Sequence, residues 1–501
     1  MKIMISFPPL TSDKGCPMLG QNRQFQWFNN ACYIYPMVPA NAASLLKSKG
    51  HDVIWADYIA EEKKFVDFID LVSKEKPDVI MMETKTPVVK QHWKIIDDLK
   101  EKFPKVILVL VGDHVTAFPK ESMENSKVDF VLTGGDYDFL LLGLCSFLSK
   151  SNPVPDCVSE RSERGVVQGN VLPAGIWYRE DSNIKSTGIF ELNHDLNTLP
   201  MIDRELTKWQ LYSVKNGNYK KTPGTYTMAG RDCWWGKCTF CSWTTIYPKF
   251  RVVEPEKLLD EIGMLIEKYQ VKEIMDDTGC FPKGEWLKKF CEGMISRGYN
   301  KKVILDCNMR FGALSLEEYK LMKKAGFRLV LFGLESANPK TLEKVNKGVK
   351  REVIIESCKL ARKAGLFPHI TIMFGYPWEN FEDVMNTVNL GKYLMRKGYA
   401  YTLQSTIVIP YPGTPLFETC NKEGLLNTLD WDRYDMREQV MKSEVPEAKI
   451  AEAVRSVYSV AFNPEFIMRK VLAIRDWSDV MYFIRAVKHV LGHLIDFKGK
   501  K

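Results

Sequence analysis

Long apolar runs are missing from this 501-residue chain: no stretch approaches the 18 or more residues a membrane-spanning helix needs. The apolar opening Met1–Phe7 reaches Pro8-Pro9 too early to be the core of a secretory signal. The expectation is therefore a cytoplasmic protein whose thiols stay reduced. No five consecutive Lys or Arg occur, so the net charge of +8 lacks the basic arm of a nucleic-acid binder, and no nucleic-acid partner is expected. Short-period repeats and low-complexity tracts are also absent, which excludes solenoids and arrays. Apart from one cluster, the cysteines are scattered singly, with no second Cys/His pair at zinc-finger spacing.

What is present is strand and helix in alternation. Over 1–150, strands are predicted at Lys2–Phe7, His51–Ala56, Asp78–Met82, Lys105–Val111 and Val128–Leu132, with helices between. Repeated βα units with apolar strands predict a doubly wound, Rossmann-like parallel sheet, whose ligands sit beyond the carboxyl ends of the strands. Residues 151–220 change character. Ser151–Gly169 is rich in Ser, Pro, Arg and Gly, while Ala174–Arg179 and Lys185–Phe190 suit a small hairpin, so this stretch reads as a linker. From 221 to 425 the alternation resumes, with strands at Thr225–Met228, Glu273–Asp277, Val303–Asn308, Leu329–Gly333, His369–Phe374 and Tyr401–Ile409. Six strands and five intervening helices predict a partial (β/α)6 barrel. Residues 426–501 show no clear strand and read as a small helical region.

Of twelve cysteines, Cys233, Cys238 and Cys241 fall within nine residues, directly after the first barrel strand. Three thiolates on one loop can hold three corners of a [4Fe–4S] cube and leave the fourth iron open to another ligand. Gly236 lets the backbone turn between the first two, and Trp234 and Trp235 would shield a cluster from water. A structural zinc site would require a fourth donor, and coincidental buried cysteines are the remaining alternative.

The cysteine loop and the motifs that follow it in order resemble the radical S-adenosylmethionine (radical SAM) superfamily, although four residues rather than the usual three separate the first two cysteines. That resemblance implies a [4Fe–4S] cluster on Cys233, Cys238 and Cys241. Its open iron would take the amino and carboxylate groups of S-adenosylmethionine, and one electron would release a 5′-deoxyadenosyl radical. It also implies a reducing protein such as flavodoxin or ferredoxin. The implied S-adenosylmethionine contacts are Phe240 in the loop, Thr278 and Gly279 after strand two, and Asn308 and Arg310 after strand three. Glu335 and Ser336 after strand four and Gly375 of the Gly375-Tyr376-Pro377-Trp378-Glu379 turn complete the set. Charged strand-end residues are often merely solvated, which is the competing reading for Asp276 and Asp277. Glu379 would equally favour the start of its helix.

The first domain resembles the cobalamin-binding domain that precedes the barrel in a large radical SAM subgroup. The implied cobalamin contacts are Pro8, Pro9, Thr84, Thr86, Gly112, Asp113, His114, Thr116, Gly134 and Gly135. None of the seven histidines has Asp two places before it, so no histidine of an Asp-x-His-x-x-Gly motif is available to cobalt. His114 reads more readily as a hydrogen-bonded loop residue than as a contact of the corrin edge, and the strand-end glycines would also admit a flavin or nucleotide. The resemblance implies methylation of an unactivated carbon on a small-molecule substrate, with cyclisation, ring rearrangement or RNA modification as alternatives; a lipid or isoprenoid substrate would suit a C-terminal helix that lies on a membrane. A non-catalytic electron carrier or a zinc-stabilised module is the reading from another class. At the C-terminus Ile484, Val487, Leu491 and Leu494 recur at helical spacing among Arg485, Lys488, His489 and His493. Such a helix either packs on the barrel or lies on a membrane surface.

Overall fold

The computed structural model describes residues 1–19, 26–150, 171–180, 183–217, 219–472, 474 and 477–496. The linker segment Ser151–Gly169 lies outside them, as do the side chains of His489, Leu491, His493 and Leu494. The chain forms two units.

The first unit, Met1–Leu10, Pro36–Trp209 and Thr245–Tyr247, is built on a seven-stranded sheet. Its strands are β1 (Lys2–Phe7), β2 (Asp52–Asp57), β3 (Val79–Thr84), β4 (Ile107–Gly112), β5 (Phe130–Leu132), β6 (Ile176–Glu180) and β7 (Asn183–Ser186), in the order β2-β1-β3-β4-β5-β6-β7. The first five are parallel, and their sequences are near-continuous apolar runs because helices cover both faces. The hairpin is placed differently from the linker expectation. Its strand β6 pairs antiparallel with β5 (Phe130 opposite Tyr178, Leu132 opposite Ile176), so it extends the sheet.

The second unit, Thr11–Tyr35, Gln210–Thr244 and Pro248–Lys501, holds six parallel strands in chain order. They are β8 (Gly224–Thr227), β9 (Glu273–Asp276), β10 (Ile304–Met309), β11 (Phe327–Glu335), β12 (Phe367–Phe374) and β13 (Thr402–Ile407). Each falls within two residues of its expected span at either end. The helices between them start where the sequence offers caps: Ser315 with Glu318, and Asn380 with Asp383, each form a reciprocal capping box.

Toward the amino ends of these strands Arg328 of β11 is buried, bonded to Glu273 of β9 (2.7 Å) and Asp306 of β10 (2.5 Å). Tyr482, on the final helix Trp477–Asp496, packs on the same guanidinium, whose carbon lies 5.6 Å from the ring centroid. That helix is held further by Arg485, which donates to the carbonyls of Tyr219 and Lys220, and by an ion pair of Asp479 with Lys220. Its packing on the barrel is therefore observed on one face. No helix among the described residues is long and apolar enough to cross a membrane.

Candidate active site

The carboxyl ends of β8–β13 carry nearly all the chemistry-bearing residues singled out in this half of the chain. Where β8 ends, Asp276 at the tip of β9 accepts from the Thr227 hydroxyl (3.0 Å) and the Ala229 amide (2.9 Å). The Thr278 hydroxyl accepts from the Gly230 amide at 2.9 Å. Asp276 and Asp277, weighed as solvated charges, are instead buried, and burial raises the Asp276 carboxyl to about 6. Together these bonds fix the chain as it enters the cysteine loop.

Cys233 is bonded by the thiol of Cys280 and by the amides of Gly236 and Trp235, which hold its own thiol down to about 6 against the opposing effect of burial. Cys280, expected to stand alone, thus lies on the first cysteine of the cluster, and its own thiol is pushed well up by burial. Burial raises Cys238 and raises Cys241 further, although Cys241 also accepts from the Trp243 amide. Gly236 has φ +57, as the turn between Cys233 and Cys238 requires. Phe240 anchors a buried group with Val345, Met373, Tyr376 and Leu416, against which Cys238 and Cys241 pack. Such a wall keeps water from an iron–sulfur cluster.

The remaining expected contacts are brought to this end of the barrel and knitted together. The Gly279 amide donates to the Asp232 carboxylate, and a Cβ on Gly279 would come 1.9 Å from its Oδ1. The Asn308 amide donates to the Thr278 carbonyl (2.8 Å), and Arg310 stacks 3.9 Å from the Trp235 ring centroid. Glu335, at φ +62, accepts from the Lys347 ammonium at 2.7 Å. Gly333 leaves room for this pair, because a Cβ there would meet Glu335 Oε1 at 2.1 Å and Lys347 Nζ at 2.6 Å. Ser336 donates to Glu379 Oε1 (2.7 Å), which also accepts from Thr341 and Asn338. Glu379 thus sits in a buried network, and Asn380 caps the helix instead. Gly375 takes φ +96.

These residues suit the groups that the resemblance implies. Amide N–H groups aimed at sulfur stabilise cluster thiolates, and Cys233 and Cys241 both receive them. Arg310 and Lys347 supply positive charge within electrostatic range of the cysteines. Asp232 Oδ1, Glu379 Oε2, the Tyr376 hydroxyl and Gln439 Nε2 are buried polar atoms without a hydrogen-bond partner. Buried donors and acceptors are rarely left idle, and a polar ligand such as S-adenosylmethionine would engage them. Among the described residues no three His, Cys, Asp or Glu side chains are gathered as the donors of a single ion would be, Cys233, Cys238 and Cys241 included.

At the carboxyl ends of the first sheet, Thr86, Asp113 and His114 are drawn into one buried polar network, while the Thr84 hydroxyl lies 3.0 Å from His92 Nδ1. The ammonium of Lys85 lies 3.6 Å from both Glu83 and Asp113, and the His114 ring nitrogens lie 3.2 Å from Thr86 Oγ1 and 3.0 Å from Glu121. With both nitrogens engaged, His114 matches the hydrogen-bonded alternative. Gly112 (φ +126) passes so close to β3 that a Cβ would fall 2.1 Å from the Thr84 carbonyl oxygen. The Thr116 hydroxyl donates to the Gly112 carbonyl and accepts from the Gly134 amide. Phe190 covers Gly134 and Tyr247 covers Gly135, so packing alone requires those glycines. Pro8 and Pro9 follow β1 at the same end. The Gly112 backbone and the Thr116 hydroxyl shape this end of the sheet, while the rings of Phe190 and Tyr247 stand over Gly134 and Gly135.

Comparison with known proteins matches residues 229–391 to the Radical SAM superfamily and residues 34–139 to the B12 binding domain. The uncharacterized methyltransferase PH0819 of Pyrococcus horikoshii is 27% identical over 462 residues, 91% of this chain and 93% of that protein. The anaerobic magnesium-protoporphyrin IX monomethyl ester cyclase of Cereibacter sphaeroides is 23% identical over 84% of this chain and 64% of its own length. The hopanoid C-3 methylase of Methylococcus capsulatus is 25% identical over 81% of this chain and 72% of its own. Among solved structures, the cobalamin-dependent enzyme OxsB, with aqua-cobalamin and S-adenosylmethionine bound, aligns over 98% of this chain and 72% of its own. Its TM-score is 0.69 at 14% identity. The methyltransferase TsrM of Kitasatospora setae, with cobalamin and a [4Fe–4S] cluster, aligns over 92% and 88% with a TM-score of 0.65 at 14% identity. At those identities the likeness is one of fold.

Proposed function

Because this chain belongs to the cobalamin-dependent radical SAM enzymes, we propose that it transfers a methyl group to an unactivated carbon of an apolar substrate. The bound cofactors supply a one-electron cleavage of S-adenosylmethionine and a transferable methyl group. The protein's part is to hold them. Cys233, Cys238 and Cys241 bind the cluster, Phe240 and its apolar neighbours exclude water, and Glu335, Asn308 and Arg310 line the approach. The observation that carries methylation over cyclisation is the relative that spans nearly the whole chain in both directions, which bears a methyltransferase name. The cyclases cover less of this chain.

Two coproducts test this reading. Protein reconstituted anaerobically with iron, sulfide and hydroxocobalamin is reduced and given S-adenosylmethionine together with a total lipid extract as the source of acceptor. Methyl transfer yields both S-adenosylhomocysteine and 5′-deoxyadenosine, whereas cyclisation or rearrangement yields the second alone. Absence of both overturns the enzyme reading. Alanine in place of any of the three cysteines abolishes the iron content.

An apolar substrate is favoured by the exposed face of the C-terminal helices. Ile467, Met468, Val471, Leu472, Trp477, Met481, Ile484 and Val487 are half of the large exposed hydrophobic residues among the described ones. Residues 464–501 carry eight Lys/Arg against four Asp/Glu, a net charge of +4. An apolar face in a basic segment matches an anionic lipid surface. Co-sedimentation with phosphatidylglycerol vesicles at low salt is expected, and Trp477→Ser with Leu472→Ser should weaken it. Failure of the wild-type protein to sediment ends the idea.

A further inference from the structure

The segment 344–348, which begins at the last residue of the short helix Pro339–Lys344, had no role in any sequence motif, yet it wraps the cysteine loop. The Thr239 amide donates to the Val345 carbonyl (3.1 Å) and the Thr239 hydroxyl to that of Lys344 (3.4 Å). The Trp235 indole donates to the Asn346 carbonyl (2.9 Å), and Arg310 donates to that of Lys347 (2.6 Å). Gly348, at φ +61, lies so close that a Cβ would reach 2.3 Å from the Trp235 ring. Four consecutive carbonyls are thus committed to the loop or to the arginine stacked on it. The one long side chain among them that turns inward is Lys347, 9% exposed, with its ammonium 2.7 Å from Glu335 Oε1 and 6.0 Å from the Phe240 ring centroid.

Three thiolates around an oxidised [4Fe–4S] core leave the assembly negative, and reduction adds another negative charge. A nearby buried cation therefore favours the reduced state. Glu335 opposes this effect in part. The ammonium lies 6.0 Å from the ring of Phe240, the residue set between Cys238 and Cys241, and both cysteines pack on the buried group that Phe240 anchors.

We propose that Lys347 is a positioning residue of the cluster site: its carbonyl and neighbours hold the three-cysteine loop, and its ammonium raises the reduction potential of the cluster. Glu335 orients that ammonium and partly offsets it. The proposal rests on the cluster assignment made above. The two fail separately, because wild-type protein that takes up no iron refutes the assignment, whereas the comparison below is made on iron-loaded protein.

The test is a spectroelectrochemical titration of reconstituted holoprotein without S-adenosylmethionine, comparing wild type with Lys347→Met, Lys347→Arg and Glu335→Gln at equal iron content. Lys347→Met is expected to lower the ratio of reduced to oxidised cluster at fixed potential by about tenfold, equivalent to about 59 mV for one electron. Lys347→Arg should stay near wild type. Glu335→Gln should move the ratio the other way, and it keeps the test open if Lys347→Met fails to load iron. An unchanged ratio in iron-loaded Lys347→Met, or a Glu335→Gln ratio that is unchanged or falls, overturns the proposal.

Discussion

Replacing Arg328 by Met tests whether the buried charges below the barrel hold it together. The side chain is 5% exposed, and its two carboxylate partners are fully buried. In its absence, Glu273 keeps the Lys221 amide (2.6 Å) and Asp306 keeps the Leu329 amide (3.0 Å), so one oxygen of each loses its charged donor. Two neighbouring buried carboxylates cannot both stay ionised, so one takes up a proton at neutral pH while the other remains a poorly compensated charge. Breaking a buried pair in this way costs about 3–5 kcal/mol. The deficit has a pH signature. Burial already holds the Asp306 carboxyl well above the usual carboxylate range beside Arg328, and loss of the guanidinium removes the main influence that lowers it. The folded variant therefore binds more protons than the unfolded chain, and its deficit relative to wild type shrinks as pH falls from neutral toward 5. Adding Asp306→Asn, which retains the acceptor for Leu329, should recover more than about 1 kcal/mol. Urea unfolding followed by circular dichroism measures all three quantities. A single variant within about 1 kcal/mol of wild type, or a deficit that grows on acidification, would refute the reasoning.

Three further outcomes follow from the packing. His92 is buried, with Nδ1 3.0 Å from the Val88 carbonyl and from Thr84 Oγ1, and burial lowers it to about 4. The unfolded chain therefore binds a proton that the folded one refuses, and on the order of 3 kcal/mol of stability is lost as pH falls from 6.5 to 4. His92→Gln should flatten that part of a stability–pH curve. Gly279→Ala drives a methyl into the Asp232 carboxylate, which should cost about 1–3 kcal/mol in melting experiments and lower iron uptake on reconstitution. Tyr376→Phe removes a buried hydroxyl that has no partner. Melting should leave the protein as stable or about 1 kcal/mol more so, while calorimetric titration of the holoprotein shows weaker S-adenosylmethionine binding; unchanged binding would assign the hydroxyl no ligand role.

Both parallel sheets were legible in the sequence because their strands are buried on both faces and read as short apolar runs such as Val79-Ile80-Met81-Met82 and Leu108-Val109-Leu110-Val111. Pairing partners were less accessible. The hairpin strands were found from local alternation, but their attachment to β5 depends on a contact more than forty residues away. The strands Cys16–Met18 and Gln26–Phe28 are three residues each and leave no periodic trace. Of the candidate site, the cysteines and strand-end residues were readable from their spacing and order. The cation beside them was not: Lys347 sits in an ordinary-looking loop, and only the fold brings its ammonium to Glu335. Cys280 had a faint signal, directly following Thr278-Gly279, yet one cysteine in sequence says nothing of a neighbour 47 positions away. Asp276 and Asp277 were ambiguous because a strand-end carboxylate looks the same in sequence whether it faces water or clasps a backbone.

The hairpin that prolongs the first sheet also acts as a guard. Without it, Phe130-Val131-Leu132 would present bare amides and carbonyls along an apolar border, a ready template for adhesion between molecules. The outer strand that replaces it is four residues long, mostly polar and exposed, with Lys185 on it. A first domain produced alone and ended at residue 150 would expose that seam and precipitate, whereas one carried through Ser186 would keep it covered.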